Sequence, residues 1–296
     1  MPYNQFICPD GIKCDIKDCL HKCRIHWAFD AERCLSLPTL RAIAEQREWK
    51  GLPSTTMLLN GTRESYLRIT TTFAVKPQDM IWAIHGTKVH SRLEDCAGDD
   101  TKSEERLYDE YSSGSFDYFE PEPGFLYDYK TYGSYKTAKT LGLYKEKIPI
   151  IGADGKQEKY KNGKLKYYDK WKVGHKSRLD VATQLNDYRM KLEKKGFKVN
   201  KMFVEALTRD AGTYMAQARG INENAQLILI NKISDSWVEA YMKAKSQALL
   251  KALDTKTMPP PCKKRETWGG IKCERFCNVW EFCDVGKKVH EALPQK

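Results

Sequence analysis

Residues 114–132 read GSFDYFEPEPGFLYDYKTY. Two β-prone runs, SFDYFE and GFLYDYKT, are separated by Pro121, Glu122, Pro123 and Gly124, and turn residues between such runs predict a pair of adjacent strands. Alternate residues of a strand share a face, so Asp128 and Lys130 point the same way, and Asp117 comes from the run before them. An acid, any residue, then lysine also occurs at Asp15 with Lys17, Glu48 with Lys50, Asp154 with Lys156 and Asp254 with Lys256. What sets Asp128 and Lys130 apart is the run Gly124-Phe125-Leu126-Tyr127 leading into them and the acid-bearing strand before it. Taken alone, the pair also fits an ion pair at a strand edge.

Outward from this pair the pattern is helical on one side and mixed on the other. Upstream, PQDMIWAIHGTKVHSRLEDC (77–96) carries apolar Met80, Ile81, Ile84, Val89 and Leu93, which predicts a helix or broken helix with one buried face. His90 falls on the same face, four residues after Gly86. Before it, GLPSTTMLLNGTRESYL (51–67) is also helical in pattern, and LPTLRAIAEQREW (37–49) reads as a helix behind a Ser36 cap. Downstream, a helix is expected at DVATQLNDYRMKLEKKG (180–196), with Gly196 as its C-cap and Gln184 and Tyr188 four apart on one face. Strands follow at KVNKMFVEAL (198–207) and AQLILINKI (225–233), then a helix at DSWVEAYMKAKSQALLKAL (235–253). This order predicts a mixed α/β domain. The division expected is a cysteine-rich head at 1–50, a core at 51–255 with a hairpin insertion near 143–174, and a C-terminal segment at 256–296 behind the stiff joint Pro259-Pro260-Pro261.

Composition bounds the function. At 296 residues with 41% hydrophobic and 30% charged residues, the chain reads as soluble and globular, and no stretch approaches the ~18 apolar residues of a membrane span. The start MPYNQFICPDG shows neither a basic lead nor an apolar run, so the expected compartment is the cytoplasm, with no membrane partner. A formal charge of +11 fits a polyanionic partner.

Ten cysteines in a chain read as intracellular point to metal rather than disulfides. Five lie in the first 34 residues and four between 262 and 283. Cys8, Cys19, Cys23 and Cys34, with ten, three and ten residues between them, suit a tetrahedral Zn²⁺ site, with Cys14 or His26 as substitutes. Cys262, Cys273, Cys277 and Cys283, with ten, three and five between them, can hold either Zn²⁺ or an iron-sulfur cluster. The aromatics Phe276, Trp280 and Phe282 among them would shield a cluster from water. Cys96 reads as packing.

The insertion alternates Lys156, Lys159, Lys161, Lys164, Lys166, Lys170 and Lys172 with Tyr160, Tyr167, Tyr168 and Trp171. Such a mixture grips phosphates and stacks bases of a single strand, and equally describes a solvated hairpin with a half-buried aromatic face. Asp154-Gly155 and Asn162-Gly163 suit two-residue hairpin turns. Lys88, Arg209 and Arg219 are further candidates for contacts to a nucleic-acid backbone.

Four motifs stand in sequence order: Gly86-x-x-x-His90, Gly114-x-x-Asp117, Asp128-Tyr129-Lys130 and Gln184-x-x-x-Tyr188. The series resembles that of RecB-type nucleases in the PD-(D/E)XK group, including AddB and the CRISPR adaptation exonucleases, over roughly residues 50–255. The resemblance implies a restriction-endonuclease-like core, a mixed central sheet flanked by helices, with cysteine-rich metal-binding appendages at both ends. It implies a metal-dependent deoxyribonuclease, an exonuclease on single strands or duplex ends in recombination, repair or replication of a bacterial or phage genome, working beside recombination or replication proteins. A CRISPR adaptation nuclease and a non-catalytic DNA-binding subunit are the alternatives. Carried over by position, His90, Asp117, Asp128 and the carbonyl of Tyr129 would bind Mg²⁺ or Mn²⁺. Lys130 would position the attacking water, and Gln184 and Tyr188 would contact DNA or support the metal site. The DNA contacts expected are Lys88, Lys164, Lys166, Tyr167 and Trp171. Several relatives carry a 4Fe-4S cluster, which would fall here on Cys262, Cys273, Cys277 and Cys283. The early cysteine of those relatives is absent between Ser54 and Gly61, so the fourth ligand is Cys262 or, from the head, Cys34.

Overall fold

Along the strand Phe125–Tyr132, Leu126 and Asp128 are buried while Phe125, Tyr127 and Tyr129 are only partly covered, and this alternation sets the two faces of the sheet. The strand is central in a five-stranded sheet ordered Ala225–Ile230, Lys201–Thr208, Phe125–Tyr132, Tyr118–Glu120, Lys102–Ser103. It runs parallel to Lys201–Thr208, with Val204 opposite Asp128 and Ala206 opposite Lys130. It runs antiparallel to Tyr118–Glu120, with Phe119 opposite Leu126. The two predicted runs are therefore paired strands. The computed structural model describes residues 3–24, 33–46, 48–174 and 178–293, with the side chain of Trp171 left out.

A parallel pair needs a crossover, and the helix Leu179–Lys194 lies in the connection from Phe125–Tyr132 to Lys201–Thr208. Val181, Leu185, Tyr188 and Leu192, spaced one helical turn apart, are buried against the sheet face that carries Leu126, Met202 and Val204. The helix ends as expected at Gly196 (φ +90). Phe197 N–H bonds the Leu192 carbonyl at 3.2 Å and Gly196 N–H that of Glu193 at 3.0 Å, the double bond of a Schellman cap. These strands belong to one compact unit, Gly98–Ser103 with Phe116–Ile233.

The same unit contains the lysine-tyrosine hairpin, in which Leu143–Pro149 pairs antiparallel with Tyr167–Val173. Its turns differ from expectation. Gly152 and Lys156 close a three-residue loop, as do Tyr160 and Lys164. The Asp154 and Asn162 side chains accept from the N–H groups of Lys156 and Lys164, both at 3.1 Å. Only Gly155 and Gly163 then take positive φ, +75 and +79, where a two-residue turn of the Asn-Gly kind needs two such residues.

The other unit comprises Met1–Ala97, Glu104–Ser115 and Ser234–Lys296. The span expected as a head and the C-terminal segment both lie in it, and residues 51–255 are shared between the units. A three-stranded sheet ordered Lys13–Asp15, Gln5–Ile7, Ala74–Val75 joins the first residues to the middle of the unit. The first residues thus share a sheet with the middle of the unit, and Phe6 on its central strand is 1% exposed. The helices Thr55–Leu59, Thr62–Thr70 and Asp235–Thr255 bury Leu58, Leu67, Val238, Met242 and Leu249, with Ser54 and Ser234 capping two of them.

Three expectations are corrected in this unit. The helix behind Ser36 stops at Leu37–Ala44; Gln46 beyond it donates from its side chain to the Tyr3 carbonyl at 2.7 Å. Ile81–Glu94 is helical behind a 3-10 turn at Pro77–Met80, yet none of its residues is fully buried and Trp82 is exposed. Cys96, expected to pack, is exposed. Helices and strands are combined in both units, so the chain is mixed α/β, and among the described residues no helix is long and apolar enough to cross a membrane.

Leu185, fully buried, and Leu229, 48% exposed, give a graded test of this core. Leu185→Ala is expected to lower unfolding free energy by about 2–5 kcal/mol in urea titrations. Leu229→Ala should cost clearly less, because about half of its surface stays in water after folding.

Candidate functional site

Asp117 directly precedes the strand Tyr118–Glu120. Continuing the register that sets Tyr118 opposite Tyr127 brings Asp117 opposite Asp128, and opposite residues of an antiparallel pair share a face. Both carboxylates are buried, Asp128 to 1% exposure and Asp117 to 8%. Each is held by N–H donors. Tyr129 N–H donates to Asp117 Oδ2 at 2.6 Å, and Gln184 Nε2 donates to Asp128 Oδ1 at 3.2 Å. Lys130, two residues along the strand, reaches Asp128 Oδ2 with its Nζ at 2.6 Å. Gln184 Nε2 also lies 3.3 Å from the Tyr188 hydroxyl, to which it donates. Burial first, then the Asp128 charge, raises the Tyr188 pKa far above that of a free phenol, so this group remains a neutral O–H. Tyr129 and Tyr132 are raised as well, each mainly by burial.

Five of the six residues expected to be catalytic, Asp117, Asp128, Lys130, Gln184 and Tyr188, are thus gathered on one face of one sheet. Buried carboxylate oxygens are hard donors that suit Mg²⁺ or Mn²⁺. His90 belongs to the other unit, on Ile81–Glu94, where its Nδ1 lies 3.6 Å from Glu104 Oε1. Glu104 takes a left-handed backbone (φ +48), uncommon for a non-glycine residue. Nothing in the acidic run 99–110 singled it out. Lys88 is exposed on the same helix as His90.

Cys262, Cys273, Cys277 and Cys283 line one cavity together with Arg63, Glu64, Leu67, Val279 and Lys272. The helix Thr62–Thr70 supplies its floor. Arg63, 8% exposed, donates to the Pro259 carbonyl at 2.7 Å, lies 3.7 Å from Cys283 Sγ and pairs with Asp284. Glu64, 4% exposed, pairs with Lys272 at 2.5 Å and Arg68 at 3.0 Å. A side chain at Gly61 would begin 2.2 Å from Cys262 Sγ, so the sulfur of Cys262 occupies the place a residue there would fill. Burial pushes the Cys277 thiol up to about 11 and raises Cys262 and Cys273. The aromatic shield differs from expectation: Trp280 lines the cavity, stacked on His290 at 3.7 Å, but Phe276 is 54% exposed and Phe282 36%. Leu67, Val279 and Val285 provide the apolar cover instead.

In the head, the sulfur of Cys14, expected as a substitute ligand, lies 3.4 Å from that of Cys8. His26 lies outside the described residues. In the hairpin, Tyr167 and Tyr168 are exposed, and so is Lys164. Lys166 is engaged by Glu158 at 2.8 Å, Lys172 by Glu146, and Lys145 by Asp169 at 3.0 Å, so cross-strand pairs offset part of the hairpin's positive charge. The side chain of Trp171 lies outside the described residues. Arg219 is turned to the Ser134 hydroxyl, at 2.7 Å.

No family model and no curated protein matches the chain. Among solved structures, "Crystal structure of SSO0001" is similar over 84% of this chain and 94% of that one, at 13% identity and a TM-score of 0.43.

The Asp117–Tyr129 bond can be tested without reference to any activity. Asp117→Ala leaves the Tyr129 N–H without its acceptor and should cost about 1–3 kcal/mol in urea unfolding. Asp117→Asn keeps an accepting oxygen and should recover most of that loss.

Proposed function

We propose that this chain is a metal-dependent deoxyribonuclease of the PD-(D/E)XK group, RecB-like, with a restriction-endonuclease-like core in the unit that carries the five-stranded sheet. The observation that carries the reading is the gathering of Asp117, Asp128 and Lys130 on one buried sheet face under Gln184 and Tyr188. Three separate stretches of sequence supply these residues, and a strand-edge ion pair needs only Asp128 and Lys130.

In this reading Asp117 and Asp128 would hold the ion with the Tyr129 carbonyl; His90, which the order of motifs adds to the set, belongs to the other unit. Bound there, Mg²⁺ or Mn²⁺ supplies Lewis acidity toward phosphoryl oxygens and an acidified water. Lys130 would orient the attacking water and face the charge that grows on the phosphate. Gln184, donating to Asp128 and Tyr188 alike, sets the angle of the Asp128 carboxylate. Tyr188, neutral and buried, keeps a proton to donate. The partner is DNA, single-stranded or at duplex ends, with Lys164 and Tyr167 of the hairpin and Lys88 as contacts to it, in recombination, repair or replication.

The C-terminal cavity is read as the seat of a 4Fe-4S cluster held by Cys262, Cys273, Cys277 and Cys283. Four soft donors around one cavity fit it, and the Arg63 guanidinium lies 3.7 Å from Cys283 Sγ. The position of Cys262 against Gly61 favours it over Cys34 as the fourth ligand. Its role is structural: it ties a segment with little core of its own to the Thr62–Thr70 helix.

End-labelled single- and double-stranded DNA, incubated with Mg²⁺ or Mn²⁺, tests the activity. Wild type should degrade it, Asp128→Ala should fall to background, and Lys130→Ala should lose about 10²–10⁴-fold. Full activity in Asp128→Ala removes that residue from the mechanism, and a wild type inert on every substrate favours a non-catalytic DNA-binding subunit. Anaerobically purified protein should be brown with about four irons per chain; a colourless preparation carrying zinc alone would overturn the cluster.

A further inference from the structure

The first 34 residues hold five cysteines that neither the carboxylate site nor the C-terminal cavity uses. Backbone geometry gathers them. Gln5–Ile7 and Lys13–Asp15 form a hairpin in which Phe6 faces Cys14 across the ladder. Cys8 lies two residues beyond Phe6, on the same face, so Cys8 and Cys14 are diagonal neighbours. The turn between them is tightly bonded: Cys8 N–H to the Ile12 carbonyl at 2.8 Å, Gly11 N–H to the Cys8 carbonyl at 2.8 Å, and Ile12 N–H to Asp10 Oδ1 at 3.1 Å. Gly11 takes φ +83 there, which a side chain would resist.

The helix Ile16–His21 starts directly after the hairpin and brings in Cys19, the one buried cysteine of the five. Cys14 of the hairpin and Cys19 of the helix line one pocket together. Cys34 is drawn back by its neighbour. The Arg33 guanidinium donates to the carbonyls of Cys19 at 2.5 Å, Leu20 at 3.4 Å and His21 at 3.2 Å, capping the end of that helix. Arg24 pairs with Asp10 of the turn. The Cys8–Cys14 contact, the pocket that Cys14 and Cys19 line together and the Arg33 bonds to the Cys19 helix draw cysteines of separate elements toward one region of the head.

We infer that the head is a zinc-thiolate centre in which Cys19 is the anchoring ligand, Cys8 and Cys14 are two more, and the Cys23–Cys34 pair supplies the fourth. Each ligand thiol loses its proton to solvent as its bond to Zn²⁺ forms. Four thiolates at ~2.3 Å from one ion stand about 3.8 Å apart, close to the Cys8–Cys14 contact of 3.4 Å. The fifth thiol remains beside the ion. The inference is independent of the nuclease reading, because no residue of the carboxylate site takes part.

Metal analysis and differential alkylation of the full chain test it. Wild type is expected to retain one zinc per chain through gel filtration and to keep it in Cys273→Ser, which alters only the C-terminal cavity. Iodoacetamide followed by peptide mass mapping should find Cys8, Cys14 and Cys19 protected, and a chelator should make all three reactive. Cys19→Ser, and the double variant Cys8→Ser with Cys14→Ser, should lose the zinc. Equal labelling of the three thiols with and without chelator overturns the assignment, and that map needs no variant to fold. So does zinc that persists in Cys19→Ser, or that disappears in Cys273→Ser and not in Cys19→Ser.

Discussion

The constraint on which the sheet-bearing unit depends is the burial of two carboxylates side by side. Taking Asp117 and Asp128 out of water is costly unless donors replace the lost hydration. The donors come from three places: the backbone N–H of Tyr129, the Lys130 ammonium and the Gln184 amide. One is supplied by the strand's own backbone, one by its pleat and one by the crossover helix. A shift of one residue in the Phe125–Tyr132 register would turn Asp128 and Lys130 to the opposite face and separate them from Gln184.

That demand explains the composition of the helix Leu179–Lys194. A helix resting on a sheet normally buries one apolar stripe, but here Gln184, Asn186, Asp187, Arg189 and Lys191 are buried as well. The polar groups satisfy one another or the backbone. Lys191 pairs with Asp187 at 2.5 Å, Arg189 with Glu193 at 2.5 Å, and Asn186 donates to the carbonyls of Ala182 and Asn231 at 2.9 and 3.1 Å. Such networks hold a helix in one orientation, which is what a positioned Gln184 requires.

In the other unit the same economy appears at the thiols. Neither the first 34 residues nor the last 40 or so carry enough apolar surface to fold alone. Each is tied to the rest of the unit: the last residues by Arg63 on the Pro259 carbonyl and Glu64 on Lys272, the first by the pairing of Gln5–Ile7 with Ala74–Val75. Trp280 on His290, with Gly286 beneath, completes the C-terminal packing; a side chain at 286 would begin 2.7 Å from the Trp280 carbonyl oxygen. These contacts bring cysteines far apart in sequence to common points before any ion is considered.

The sequence by itself determined the local elements and the phase of side chains along them. The alternation in GFLYDYKT, the turn at Pro121–Gly124, the four-residue step from Gln184 to Tyr188 and the stop at Gly196 all report interactions among residues near in the chain, and such interactions are visible in a string. Tertiary structure alone decided the rest, because it depends on contacts between distant residues. The parallel register that sets Val204 against Asp128, the pairing of His90 with Glu104, the seat of Cys262 against Gly61, the closeness of Cys14 to Cys8 and the exposure of Phe276 have no local signature. Periodicity shows which way a side chain points; only packing decides what it meets there.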